Sequence, residues 1–187
     1  SMAIDYAIED LDMYLHTNVA KKIKMLKEPE YAGEVITLEE EQLLLKHAAR
    51  SKAQWLFASI ILAIDTGMRR GEIMKLKYED VNFSSRIVKV KDTKGGVDRT
   101  VGLSTRAVNA IKELPRTIDG RVITCRDGDQ FMWFWKQCRK ASGVKKRFHS
   151  TRATFCTRAA EDGWQLLDIA AQTGHRDVNV LRKHYAK

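Results

Sequence analysis

With 187 residues, 44% hydrophobic and 30% charged, the chain can build one full domain around a real core. Its longest apolar run, 55–64, is too short for the roughly 18–20 residues of a membrane span, and no secretory leader opens it. The net charge of +9 favours an acidic partner, nucleic acid being the commonest.

From the N-terminus, 3–15 has a short helical pattern and 21–31, with four lysines and Pro29, reads as an exposed linker. We therefore expect residues 1–34 to be an N-terminal helix and linker and 35–187 to be the main domain. Thr37 followed by Glu40 is a capping box for the first helix of that domain. A second helix, 53–64, should stop at Thr66-Gly67, and a third should run from about Arg70 to Leu76. Two alternating segments, 86–91 and 99–103, flank Lys94-Gly95-Gly96 and predict a β-hairpin. Helices are expected over 104–114, 129–142, 150–162, 166–173 and 178–185, with Gly143, Gly163 and Gly174 at their ends. The fold class is thus α+β, mainly α-helical with a small antiparallel β-sheet.

Cys125, Cys138 and Cys156 are odd in number and lack metal-ligand spacing, so reduced thiols are expected. The dense aromatic group Phe131, Trp133, Phe134 and Trp135 reads as core, although one ring could face a base. Charge is unevenly placed: 11 of the 33 Lys+Arg but only 4 of the 24 Asp+Glu lie after Cys138. Within that basic quarter, Lys145-Lys146-Arg147 suits contact with a nucleic-acid backbone, although a solvated loop has the same composition.

Six residues have the chemistry to act on phosphate. Arg69 lies just beyond a helix-ending glycine, Lys94 at the hairpin tip, His149 and Arg152 at a helix start, His175 after Gly174, and Tyr185 ten residues further on. Singly, each is an ordinary surface, capping or packing residue. In their order they resemble the tyrosine recombinases, the phage-integrase-like enzymes. Thr66-Gly67-Met68-Arg69-Arg70-Gly71-Glu72 resembles the family's first-arginine motif, and Lys94 falls where the family places its hairpin lysine. His149-Ser150-Thr151-Arg152 resembles the His-x-x-Arg box, Thr173-Gly174-His175 the Leu-Gly-His segment, and Tyr185 the nucleophile. The likeness extends over about 36–187, and it implies that 1–34, with the linker-like Lys27-Glu28-Pro29-Glu30, is a remnant of a core-binding domain.

This resemblance implies a catalytic domain that cleaves and rejoins DNA through a 3′-phosphotyrosine at Tyr185, with Arg69, Lys94, His149, Arg152 and His175 around the phosphate. Arginine suits such a clamp because its planar fork can hold two phosphate oxygens and keeps its charge. A phenol, with a pKa of about 10, needs nearby cations to become a nucleophile near neutrality. Lys94 would serve as acid toward the leaving 5′ oxygen and His175 as donor to a non-bridging oxygen. His149 would take the phenolic proton or only bind phosphate; both readings stand. Arg70, Lys145, Lys146 and Arg147 are expected to contact DNA, and Glu72 to hold Arg69 or a helix start. No metal and no cofactor is implied. The expected partner is double-stranded DNA, bound by a homotetramer on two sites at full length, this chain alone being monomeric, in the cytoplasm of a bacterial or phage-infected cell. A strand-resealing type IB topoisomerase and an inactive DNA-binding module are the competing readings.

Overall fold

A computed structural model describes residues 34–91, 98–175, 177, 178 and 181. The chain divides after Tyr31, and all described residues belong to the second unit. The predicted helix over 3–15, the linker over 21–31, the hairpin tip with Lys94 and the end of the last helix with Tyr185 lie outside the described residues.

Helix α1 spans Leu38–Ala48, and Thr37 and Glu40 close the predicted capping box on each other's backbone N–H. Helix α2, Gln54–Thr66, is apolar nearly all round and is buried nearly all round, which makes it the central helix. Around it pack α1, α4 (Thr105–Lys112) and α6 (Ser150–Glu161), while α5 (Gly128–Ser142) lies chiefly against α1. The short α3, Arg70–Lys75, follows α2 after a tight turn, and α7, Leu166–Thr173, packs on α6.

The sheet has three antiparallel strands in the order β1 (Val81–Asn82), β2 (Ile87–Val90) and β3 (Arg99–Gly102). β2 and β3 form the predicted hairpin, with Val88 opposite Val101 and both fully buried. β1 was not foreseen, because two residues are too few to show a period-two pattern. A buried carboxylate ties the helices together: Glu41, 3% exposed, accepts from Arg106 at 2.7 Å and from Arg158 at 2.6 Å. These contacts join α1, α4 and α6, and Asp65 at the end of α2 also pairs with Arg106.

The aromatic group on α5 needs one correction. Phe131 and Trp135 are fully buried and Phe134 packs against the core, but Trp133 is 56% exposed. At about 100° per residue, positions 131, 135 and 138 share one helix face and 133 lies almost opposite, so four adjacent rings cannot all point inward. All three cysteines are buried and free.

Gly67 ends α2 in the left-handed conformation, with φ of 66°. A β-carbon there would come within 2.7 Å of both Phe155 Cδ1 and Thr173 Cγ2, so α6 and α7 can only close on this turn because it has no side chain. Gly67→Ala should therefore lower unfolding stability by roughly 2–4 kcal/mol, adding left-handed strain to overpacking. Urea denaturation followed by circular dichroism measures this, and an unchanged midpoint would contradict the close packing.

Candidate active site

The turn after α2 places Arg69 at the N-terminal cap of α3, where its side chain leaves the helix axis and stays 48% exposed. Its Nη2 donates to the carbonyl of Gly174 at 2.9 Å and its Nη1 to Glu72 Oε1 at 3.1 Å. Glu72 fulfils both structural roles expected of it: it holds this guanidinium and also accepts from the Arg69 backbone N–H at 2.7 Å. Burial pushes the Glu72 carboxyl upward, but hydrogen bonds from Arg99 and from the Arg69 backbone outweigh it and hold the group ionised.

Arg152 sits in the first turn of α6 and is only 4% exposed. Its Nη1 donates to the carbonyls of Gly67 at 2.7 Å and Thr173 at 2.5 Å, while Nη2 is buried with no hydrogen-bond partner among the described residues. A cation buried at the positive end of a helix is doubly disfavoured. Burial, and then the nearby Arg69 guanidinium, pull its pKa down to about 10, which still leaves it charged near neutrality.

His149 is the residue before α6 and is exposed on the wall of the same region; partial enclosure and the cations of Arg152 and Arg69 lower its pKa. His175 follows the C-cap glycine of α7, and its Nδ1 lies 2.7 Å from Thr173 Oγ1. The Thr173 hydroxyl has a single proton, directed at the Ile169 carbonyl at 2.6 Å, so toward His175 it acts as acceptor. The neutral ring is thereby fixed with its proton on Nδ1 and a bare Nε2. Burial, followed by Arg152 and Arg69, lowers the His175 pKa to about 4.

That shift has a definite sign. The unfolded chain takes up the proton first, near the usual 6.5, so the contribution is fully present above that pH and is lost as acidification proceeds to about 4. Stability should fall more steeply across this window in the unsubstituted protein than in His175→Ala. Urea unfolding at a series of pH values tests it, and parallel slopes for the two proteins would refute the assignment.

An open cleft of about 450 Å³ lies in front of these groups, with Arg69, His149 and Arg152 in its lining. Arg70, Arg139 and Arg147 also line it, and the described lining contains no carboxylate. His175 is not in the lining itself but stands among Arg152, Arg69, His149 and Arg99. Four of the six expected site residues are thus brought together; Lys94 and Tyr185 lie outside the described residues. Among the expected DNA contacts, Arg70 and Arg147 reach the cleft, whereas Lys145 and Lys146 do not line it. Arg139 was missed by sequence reasoning. It lies on α5 one turn beyond Trp135, and that shared face was the available signal. Arg99, on β3, was also missed and had no local signal.

The fold is that of a phage-integrase-type domain. The Phage integrase family model matches residues 34–187, and the chain belongs to that family. It is 29% identical over 170 residues to a shufflon-specific DNA recombinase of Escherichia coli, a match covering 90% of this chain and 44% of that protein. The chain therefore spans less than half the length of that relative. The fold superposes on the crystal structure of XerA recombinase with a TM-score of 0.73 at 21% identity, covering 100% of this chain and 69% of that one. On a lambda integrase dimer bound to a COC′ core site the TM-score is 0.76 at 19% identity, covering 98% and 56%.

Proposed function

We propose that this chain is the catalytic part of a tyrosine-type site-specific recombinase, within 35–187, acting on double-stranded DNA. The observation that carries the reading is the buried Arg152 guanidinium, its Nη2 unpaired among the described residues, beside a cleft shared with Arg69 and His149 whose described lining holds no carboxylate. An unsatisfied buried cation surrounded by further cations is stabilised by an anion, and a phosphodiester is the anion that this family context supplies. That a relative is named a DNA recombinase and a transposon integrase of similar fold is in complex with a circular intermediate DNA supports DNA as the source of the phosphate.

In this reading Arg69 and Arg152 hold the non-bridging oxygens and stabilise charge developing on them. The Tyr185 phenolate oxygen forms a bond to phosphorus, the bond from phosphorus to the 5′ oxygen breaks, and Lys94 gives that oxygen its proton. The resulting 3′-phosphotyrosine keeps the phosphodiester energy, so another 5′ hydroxyl can attack it without ATP, and the cations do the electrostatic work without a metal. His175 must first be protonated on Nε2 before it can donate there, and a bound phosphate favours that protonation by opposing its cationic neighbours. His149 takes the phenolic proton or binds phosphate. Arg70, Arg139 and Arg147 would grip the adjoining backbone, with Lys145 and Lys146 further out. Assembly as a tetramer on two sites is proposed for the full-length protein.

Covalent capture tests this directly. The protein is incubated with a randomised pool of short duplexes nicked so that the cleaved 5′-hydroxyl fragment diffuses away. A denaturant-resistant adduct, carrying an enriched DNA sequence, is the expected result; a pool that yields none would overturn the proposal.

A further inference from the structure

We infer that Arg99 is a positioning residue for the active site: from strand β3 it fixes Arg69 and the turn bearing His175 in one relative arrangement. Its catalytic consequence rests on the strand-transfer reading above.

The geometry is a closed circuit. Arg99 Nη1 and Nη2 donate to the two oxygens of Glu72 at 2.9 and 2.8 Å. Those oxygens also accept from the Arg69 side chain and backbone, so both lone pairs on each are engaged. Arg69 in turn donates to the Gly174 carbonyl. The Arg99 guanidinium then lies flat beneath Gly174: a β-carbon there would be 2.9 Å from Arg99 Cζ and Nη1 and 3.1 Å from Nε. The circuit Arg99–Glu72–Arg69–Gly174 thus returns to its start, and the missing glycine side chain is what lets it close.

A second link joins the same strand to the same turn. Arg99 Nε donates to the Gln172 carbonyl at 3.1 Å. At the other end of β3, the Gln172 side-chain amide donates to the Gly102 carbonyl and accepts from the Gly102 N–H, both at 3.0 Å. One residue of α7 is therefore held at both ends of β3, through its backbone and through its side chain. Just past it come the Thr173 carbonyl that holds Arg152, the Gly174 carbonyl that holds Arg69, and His175. Arg99 itself is 13% exposed and is not among the cleft-lining residues, so it acts through its neighbours and not on a phosphate. Both members of its ion pair are largely desolvated, the setting in which a bidentate pair fixes geometry and loss of one partner is felt most.

Two variants test the assignment in the full chain. Arg99→Met removes charge and fork; Arg99→Lys keeps the charge and loses the fork. Cleavage of the captured duplex should slow about 100-fold in both, the cost of displacing catalytic groups by about an ångström, with DNA affinity little changed. Imidazole NMR of the DNA-free protein supplies a readout that mere loss of stability would not give. In Arg99→Lys, which keeps the charge, the His175 titration midpoint should still shift, because the turn that carries it moves relative to the Arg152, Arg69 and His149 groups facing it. A folded Arg99→Met protein that cleaves at the unsubstituted rate, or an Arg99→Lys protein whose His175 midpoint does not move, overturns the inference. If Arg99→Met does not fold, normal cleavage by Arg99→Lys overturns it as well. Absence of any adduct from the unsubstituted protein sinks the recombinase reading alone, and the His175 midpoint then decides the positioning claim.

Discussion

Tyr185→Phe should abolish the covalent adduct while leaving DNA bound. The substitution deletes one oxygen and keeps the ring, so the nucleophile is lost with the smallest change of side chain. Arg69, Arg152 and His149 would still meet the phosphate, and affinity measured by fluorescence anisotropy should remain close to the unsubstituted value. Water could in principle attack the same polarised phosphorus, but that route yields free 3′-phosphate and no protein-linked DNA. Denaturing electrophoresis therefore distinguishes the outcomes cleanly. An adduct formed by the variant would transfer the nucleophile's role to another residue.

Arg152→Ala should slow adduct formation by about 100- to 1,000-fold, corresponding to roughly 3–4 kcal/mol of lost transition-state stabilisation. Three effects compete in its folding stability. Removing a buried, incompletely paired cation relieves a desolvation penalty. Against this, the Gly67 and Thr173 carbonyls lose their donor, at about 1–3 kcal/mol for each group left unsatisfied, and a cavity opens. The carbonyl and cavity losses should win, so the variant is expected to be less stable as well as slow. The His175 midpoint should rise in parallel, since Arg152 is its strongest cationic neighbour. Single-turnover rates measured with saturating duplex separate the chemical loss from the binding loss. Near-normal rates under those conditions would remove Arg152 from the phosphate clamp.

The helices, their glycine ends and the hairpin were readable because each rests on local chemistry: Thr37 with Glu40, Gly67 after Thr66, alternating Val88 and Val90. The meeting of Arg69, His149, Arg152 and His175 was anticipated only through the order of motifs shared with a family. What stayed hidden depends on contacts between distant segments. Arg69 meets the Gly174 carbonyl across 105 positions of sequence, and no periodicity encodes that. Arg99 looked like one more strand residue, because its value lies in Glu72 and Gln172, which belong to other elements. Trp133 was misjudged for a different reason: composition was weighed over helical phase, and phase decides which rings turn inward.

The described lining of the cleft carries guanidinium groups and no carboxylate. Its guanidinium groups do not discriminate between a phosphodiester and small tetrahedral oxyanions of similar size. Sulfate or phosphate carried over from purification would occupy the same ground, lending apparent thermal robustness while competing with DNA. Rates determined in such buffers would understate the enzyme, and chloride-based media are the proper baseline for comparing variants.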